Sequence, residues 1–324
     1  MPSRKIEHAL EALSRLRNAG ATPEARDELR RYLADKSNLV VAKAARLVRE
    51  LEFQDMQEQL AEVFARFLKD PVKTDSRCAA KTEIVRALES FGVAAETVFL
   101  QGIRHVQMEG SFGPPVDTAA ELRAASAMAL VHMNHPDAII ECVTLLVDRE
   151  PDARIGAVRA LAFSGRPEAA PLLRLKALQP EESVDVTAEC FGALLEIAPA
   201  RSVPFVAGYL DAHDAAVAEA AALALGQSHQ PGAVDAILSR WQPTLDPPVR
   251  GALLLGLALA REENAFAFLF SLVASGSEAV AEQAIRALAT YRHDERMAGR
   301  VRALVEERPS LQPVFATEFH SPRA

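Results

Sequence analysis

Aromatic residues are scarce in this sequence: they form 6% of its 324 residues, and the single tryptophan is Trp241. Alanine and leucine supply most of the apolar content. Both favour helices, whereas the β-branched and aromatic side chains that suit strands are thinly represented. Hydrophobic residues still make up 49% of the chain, which excludes wholesale disorder. The composition therefore predicts a folded, helical protein.

Cysteine is also rare, and no long apolar run is present. The three cysteines are too widely spaced for a disulfide framework or a metal-ligand pair, so we expect them to be small buried hydrophobes: Cys78, Cys142 and Cys190. No uninterrupted apolar stretch approaches the roughly 18 residues that span a bilayer, and the first residues lack a signal-peptide pattern. These features predict a cytoplasmic protein without membrane insertion.

Positive charge is in deficit, since the formal net charge is −8. This balance argues against a general affinity for nucleic acid or anionic membranes, both of which attract clustered cations. The charge is uneven, however, because residues 1–50 contain eleven Lys and Arg against seven Asp and Glu. This basic end is either a docking patch or a solvated helix face.

An internal repeat runs through most of the chain. Residues 214–226, 246–258 and 277–289 share a capping residue, two spacers, a valine and, eight residues after the valine, a leucine. Five earlier segments fit the same frame, and the leucines of all eight are Leu47, Leu88, Leu130, Leu161, Leu194, Leu225, Leu257 and Leu288. Their spacings are 41, 42, 31, 33, 31, 32 and 31 residues. A period near 32 accommodates two helices of about 12 to 14 residues and two short turns, so each repeat is predicted to be a helical hairpin.

Capping residues and prolines mark the helices within each repeat. Asp214, Asp246 and Ser277 stand where an N-cap side chain can accept hydrogen bonds from the first backbone amides of the second helix. With the valine as position 0, apolar residues recur at positions 0, 4, 5 and 8, and position 0 of the first repeat is Leu39. Hairpins with so wide an apolar stripe must stack on their neighbours.

The segment Asp246-Pro-Pro-Val-Arg250, followed by an Ala/Leu-rich helix, resembles the HEAT-repeat family in its short bacterial form, which the bilin lyases share. The resemblance is clearest over residues 118–291. It implies an all-α fold, namely an α-solenoid of about eight HEAT-like hairpins wound into a right-handed superhelix. One continuous solenoid would then comprise divergent repeats with insertions over residues 1–117, regular repeats over 118–308 and a C-terminal cap or tail over 309–324.

Three segments depart from the period. Residues 108–117 concentrate glycine and proline and predict a loop with Phe112 at its tip, which is either functional or a tolerated insertion. The other excess is assigned to a longer helix pair over residues 52–69. Residues 308–324 are too rich in proline to continue the solenoid, so they form either a recognition tail or a cap made by Leu311, Phe315 and Phe319.

Common catalytic and metal-binding signatures are missing. The sequence has no Gly-x-x-x-x-Gly-Lys, no Gly-x-Ser-x-Gly and no His-Glu-x-x-His motif, and His132 and His135 fit an interhelix turn better than a metal site. It contains no His-Glu dipeptide, which the di-iron hydroxylases of this fold repeat. Residues 168–291 hold seven Lys and Arg against fifteen Asp and Glu, unlike the basic groove of HEAT-like DNA glycosylases. We therefore expect no catalysis, no metal and no cofactor.

Positions 2 and 6 of the frame lie opposite the apolar stripe and are expected to line the concave face of the solenoid. Position 2 is occupied by Val41, Thr82, Ala124, Ile155, Ala188, Glu219, Gly251 and Glu282. Position 6 is occupied by Ala45, Arg86, Met128, Arg159, Gly192, Leu223, Leu255 and Arg286. Such small and apolar residues either permit tight curvature or receive an apolar peptide or helix.

The main hypothesis is a non-enzymatic scaffold that binds another protein or peptide through this face, with candidate contacts at Met128, Arg159, Leu223, Leu255 and Arg286, and with Phe112 as a further candidate. Nucleic-acid binding through the basic N-terminal end is one alternative. A lyase-like or chaperone-like protein that acts on a cofactor-bearing partner is the other.

Overall fold

The structure, a computed structural model, describes residues 4–110, 113–242, 244 and 246–320. These residues form twenty α-helices, five 3-10 helices and one pair of two-residue strands. The chain divides into two compact units, Met1–Leu172 and Leu173–Ala324.

The first unit contains ten helices and the β-hairpin. The helices are α1 (Arg4–Ala19), α2 (Pro23–Leu33), α3 (Asn38–Glu50), α4 (Gln57–Phe67), α5 (Pro71–Thr74), α6 (Ala79–Ser90), α7 (Glu96–Ile103), α8 (Ala120–His132), α9 (Ala138–Leu145) and α10 (Pro151–Phe163). The antiparallel strands are β1 (Met108–Glu109) and β2 (Val116–Asp117). Two 3-10 helices cover Gln54–Met56 and Ser76–Cys78.

Helix α11 (Ala169–Leu178) crosses the boundary between the two units. The second unit continues with α12 (Val184–Ile197), α13 (Pro199–Ala207), α14 (Ala215–Ser228), α15 (Ala233–Trp241), α16 (Pro247–Ala260), α17 (Glu263–Ser275), α18 (Glu278–Leu288), α19 (Glu295–Glu306) and α20 (Gln312–His320). Its 3-10 helices cover Gly208–Asp211, Ala289–Tyr291 and Pro309–Leu311.

The predicted alternation of first and second helices is confirmed. The eight repeated leucines lie on α3, α6, α8, α10, α12, α14, α16 and α18, and each of these second helices follows a first helix in the chain. The second helices stack in order, α3 to α10 in the first unit and α12 to α20 in the second. All eight leucines are at most 2% exposed, so they form equivalent parts of the core.

Second helices α14 and α16 approach each other at two glycines. A Cβ atom on Gly226 would lie 2.1 Å from the carbonyl oxygen of Gly256, and one on Gly256 would lie 2.5 Å from the carbonyl oxygen of Ala222. No side chain fits at such distances. The contact therefore requires glycine at both positions.

The apolar stripe differs from the predicted one at the first repeat. Leu39, placed at position 0, is 47% exposed, while the adjacent Val40 and Val41 are buried. The prediction for Leu39 was therefore wrong, and the prediction that Val41 is outward-facing was wrong as well. The reason is that α3 rotates its buried side by about one residue, which the helical period of 3.6 residues permits without loss of apolar contact.

The ten extra residues of the first interval do not lengthen a helix pair over residues 52–69. Helix α4 has 11 residues, and the excess forms α5 and the 3-10 helix that follows it. Asp70 adopts a left-handed conformation with φ 52°, and Pro71 starts α5. Because proline lacks an amide hydrogen, α4 cannot continue through this point.

The proline-rich C-terminal segment also folds differently from the prediction. It is helical over α20, which packs on α18 and α19, so the second-helix row continues for one more member. Leu311 and Phe315 are buried, and Phe315 stacks on Phe319 with ring centroids 4.8 Å apart. Leu311 and Phe315 therefore belong to the core, Phe319 is partly exposed, and the segment that carries Phe315 and Phe319 is a helix. Pro313 lies in the first turn of α20, where a proline is tolerated.

We expect Leu225→Ala to lower the free energy of unfolding by about 2 to 5 kcal/mol, because it leaves a cavity in a completely buried site. Urea denaturation followed by circular dichroism measures this change. Leu223→Ala on the same helix is the control and should cost less, since Leu223 is partly exposed. Equal losses for the two variants would contradict the assigned helical face.

Candidate partner-binding surface

Two second helices of the second unit, α14 and α16, begin at aspartate caps. The Asp214 carboxylate accepts a hydrogen bond from Ala216 N at 2.9 Å, and the Asp246 carboxylate accepts one from Val249 N at 3.2 Å. The predicted cap at Ser277 is wrong, since its side chain makes no capping hydrogen bond. The two aspartate caps fix the starts of α14 and α16, and hence the directions in which Leu223 and Leu255 point.

We call the partly exposed residues at positions 2 and 6 of α12, α14, α16 and α18 the second-helix face of the second unit. Leu223 and Leu255 occupy equivalent positions on the adjacent helices α14 and α16, and both are half-buried. Arg286 on α18 is exposed, and it forms ion pairs with Glu282 at 3.1 Å and Glu318 at 3.7 Å. The structure therefore brings three predicted contacts onto one surface, apolar in the middle and charged at one side.

Two glycines on this face have no packing partner. Gly192 on α12 is exposed and Gly251 on α16 is half-buried, and a Cβ atom on either would meet no atom within 4 Å. They differ in this respect from Gly226 and Gly256. A glycine inside a helix costs about 1 kcal/mol relative to alanine, yet no contact in the described structure requires it here. The backbone of α12 and α16 is thus open to close approach from outside.

The other predicted contacts lie in the first unit. Met128 is half-buried on α8, and Arg159 is exposed on the neighbouring α10. Positions 2 and 6 are less accessible on α3 and α6. Ala45 on α3 and Thr82 on α6 are buried and were wrongly predicted to face outward. Phe112 lies outside the described residues.

A charged cluster replaces the apolar surface on α3 and α6. Glu83 is 5% exposed and accepts hydrogen bonds from Arg46 at 2.9 and 3.3 Å and from Arg86 at 3.0 Å. The guanidinium of Arg86 also forms an ion pair with the carboxylate of Glu121 on α8 at 2.6 Å. Although burial opposes its ionisation, these guanidinium groups lower the pKa of Glu83. The face is therefore polar in this part of the first unit.

The sequence interpretation missed a ladder of buried charges in the first unit. Asp75 and Lys81 are completely buried and form an ion pair at 3.1 Å. The next repeat contributes Asp117 and Arg123, paired at 2.8 Å, and Arg123 also reaches Asp148 of the following repeat at 2.9 Å. In each repeat the acid stands six residues before a cation at position 1, as it does for Asp148 and Arg154. This six-residue spacing is the sequence pattern from which the buried ion pairs could have been predicted.

The predicted loop over residues 108–117 contains the β-hairpin, and Glu109 attaches it to the body. Its carboxylate accepts hydrogen bonds from the hydroxyls of Ser76 and Thr118, each at 2.7 Å, and from the Gln107 amide at 2.7 Å. Although desolvation opposes ionisation, these bonds and one from the backbone of Arg77 lower the pKa of Glu109 to about 2. The strands are therefore held against the helices by a carboxylate that stays ionised.

Three further observations bear on chemistry in the described part of the chain. No group of three or more His, Cys, Asp or Glu side chains could hold a metal ion there. His132 contacts Glu89 at 2.6 Å and His135 contacts Glu96 at 3.3 Å. Across the same residues, the helices are too short or too polar to traverse a lipid bilayer.

This architecture of stacked helical hairpins is that of an α-solenoid. Residues 116–175 and 174–253 both match the sequence model of HEAT repeats. Residues 116–253 therefore consist of HEAT repeats, as the short repeat of the sequence suggested. No curated protein matches the sequence.

Three solved structures are similar to this chain, and the first of them shares its fold. Kap121p bound to Pho4p has 14% sequence identity and a TM-score of 0.50, and the match covers 91% of this chain but only 37% of that one. The complex of CpcE and CpcF of phycocyanin lyase from Nostoc sp. PCC7120 has 16% identity and a TM-score of 0.37, covering 76% of this chain and 94% of that one. An engineered protein has 17% identity and a TM-score of 0.36, with 97% and 95% coverage.

Removal of the buried acid should destabilise the first unit. We expect Asp75→Ala to cost about 3 to 5 kcal/mol in urea denaturation, because the Lys81 ammonium loses its counter-charge in a completely buried site. Lys73→Ala, which breaks the exposed ion pair with Asp70, is the control and should change stability little. Adding Lys81→Met to Asp75→Ala should recover part of the loss, and no recovery would show that the ion pair is not its cause.

Burial raises the pKa of each cysteine thiol to about 12. The thiols are therefore protonated at pH 8, and we expect the native protein to react slowly with Ellman's reagent. All three should react rapidly in denaturant. Fast reaction of any thiol in the native protein would contradict its burial.

Proposed function

We propose that this protein is a non-enzymatic scaffold that binds another protein through the second-helix face of its second unit. The observation that carries the proposal is the pair of equivalent leucines, Leu223 and Leu255, left partly exposed on neighbouring helices with polar groups beside them. A solvated helix face normally carries charge at such positions. Partly exposed leucines that recur in register are typical of a groove that receives an apolar stripe.

The two unpacked glycines support this proposal. If small residues served only to bring helices together, their missing Cβ atoms would point at a neighbour, as at Gly226 and Gly256. Gly192 and Gly251 point at open space instead. They leave the floor of the face smooth, which favours the close approach of a partner backbone.

The best-fitting partner is an amphipathic helix or an extended apolar segment. Its apolar side would cover Leu223 and Leu255, and its polar side would meet Glu219 and Arg286 at the margins. The solved complex of Kap121p with Pho4p gives an example of a solenoid that holds another protein. It supports the general mode of binding.

The first test is the double variant Leu223→Glu with Leu255→Glu. Both side chains reach solvent, so we expect circular dichroism to show unchanged helical content, while affinity capture from the native cell and mass spectrometry should show loss of the partner recovered by the wild type. Capture of every wild-type partner by the folded double variant would exclude this face. Loss of folding would show that both leucines belong to the core.

Gly251→Ala provides a more sensitive test. Because the added methyl group meets no protein atom, it should stabilise α16 by up to about 1 kcal/mol while weakening partner capture. Gly299→Ala on the first helix α19 is the matched control, since its Cβ atom also meets nothing within 4 Å. The control should be stabilised equally and bind normally. Equal capture by the two variants would show that the open glycine has no binding role.

A further inference from the structure

An open groove of about 410 Å³ lies at the N-terminal end of the first unit. Four parts of the chain form it: α1, the connection between α2 and α3, the first turn of α3, and α5. Its polar lining includes Lys5, Lys36 and Lys73, and its apolar lining is Ile6, Ala9 and Val40. The three lysines are separated by more than thirty residues in the sequence, so only the tertiary structure brings them together.

The groove carries an excess of positive charge. All three lysines are exposed, and Lys5 and Lys36 have no ion-pair partner among the described residues. Lys73 pairs with Asp70 at 2.9 Å, and this hydrogen bond raises the pKa of Lys73. Asp35 is the single carboxylate in the lining, and one of its oxygens accepts a hydrogen bond from Ser37 N at 2.8 Å. Two of the three ammonium groups are thus available to an external anion.

The apolar side chains of the groove place a second requirement on the molecule that binds there. Val40 is buried, and Ile6 and Ala9 are partly exposed between the lysines. Ser37, the N-cap of α3, and Asn38 both line the groove, so the positive end of that helix also borders it. An occupant therefore needs negative charges at its margins and a small apolar group between them.

We propose that this groove binds an acidic polypeptide segment in which carboxylates flank an aliphatic side chain. A nucleic acid fits the groove less well. Three cations are fewer than the roughly six to ten phosphate contacts of a typical protein–DNA interface, and the lining contains no aromatic side chain on which a base could stack. Lysine ammonium groups act as point charges and suit single carboxylates. The groove is separate from the second-helix face of the second unit, so the proposal does not rest on that one.

The test uses the full chain and a fluorescein-labelled peptide of about eight residues, composed only of Glu and Leu, followed by fluorescence anisotropy. Probes for comparison are the same peptide with Lys in place of Glu and a labelled single-stranded oligonucleotide. We expect saturable binding of the acidic peptide that weakens as ionic strength rises towards about 1 M, since salt screens exposed charges. The basic peptide should not bind, and the oligonucleotide should bind more weakly.

Substitutions of groove residues test whether the acidic peptide binds in the groove. Lys5→Glu and Lys36→Glu should each reduce the affinity for the acidic peptide about tenfold, because attraction becomes repulsion at a partly screened site. Lys36→Arg should retain binding, since the charge is kept. Arg166→Glu makes the same charge change on the exposed connection after α10 and should have no effect. Circular dichroism verifies the fold of each variant.

The outcomes separate this proposal from the preceding one. The double variant Leu223→Glu with Leu255→Glu should bind the acidic peptide as the wild type does, whatever its effect on partner capture. Absence of saturable binding, or equal binding by the wild type and the lysine variants, would overturn the groove proposal. Tighter, lysine-dependent binding of the oligonucleotide would overturn it as well, and would identify a nucleic acid as the occupant.

Discussion

The stacking of second helices is the contact on which the rest of this structure depends. At α14 and α16 the backbones approach so closely that neither Gly226 nor Gly256 has room for a Cβ atom. Small residues act similarly in the first unit, where a Cβ atom on Gly156 would lie 2.2 Å from that of Ala124. Such contacts bury one side of each second helix and leave another accessible. They therefore decide which side chains can reach a partner.

The first unit adds a second device, a ladder of buried charges at the starts of its second helices. Arg123 holds Asp117 of its own repeat and Asp148 of the next, so one side chain links two hairpins. Ion pairs of this kind give little net stability, because burial costs solvation energy, but loss of either partner is expensive. Their geometric effect is to hold one hairpin in register with the next. In the second unit, the carboxylates of Asp214 and Asp246 accept hydrogen bonds from the first amides of their own helices.

The two candidate surfaces differ in their physical chemistry. The second-helix face of the second unit offers apolar area and open backbone, which favour a partner that buries surface without strict directionality. The groove of the first unit offers ammonium groups around a small apolar floor, so its binding would depend on charge and on salt. A scaffold with both surfaces could bind two different segments. Measurement of each site by its own probe distinguishes them.

The sequence predicted the repeated elements well, because they follow local periodicity. The spacing of eight leucines predicted the second helices and their buried positions, and all eight leucines are buried. Periodicity could not predict the small rotation of α3 that exposes Leu39 and buries Val41, because neighbouring helices decide which adjacent residue faces the core. Nor could it predict α20, because prolines occur in the first turn of a helix as well as in segments that are not helical.

The candidate sites divide in the same way. The sequence by itself determined that Leu223 and Leu255 occupy equivalent positions on neighbouring repeats, because a fixed period places equal positions on equal faces. Only the tertiary structure decided that Gly251 faces open space while Gly256 meets a backbone, since that difference depends on the neighbouring helix. The tertiary structure also formed the lysine groove. Lys5, Lys36 and Lys73 belong to three separate elements, and only packing brings their charges together.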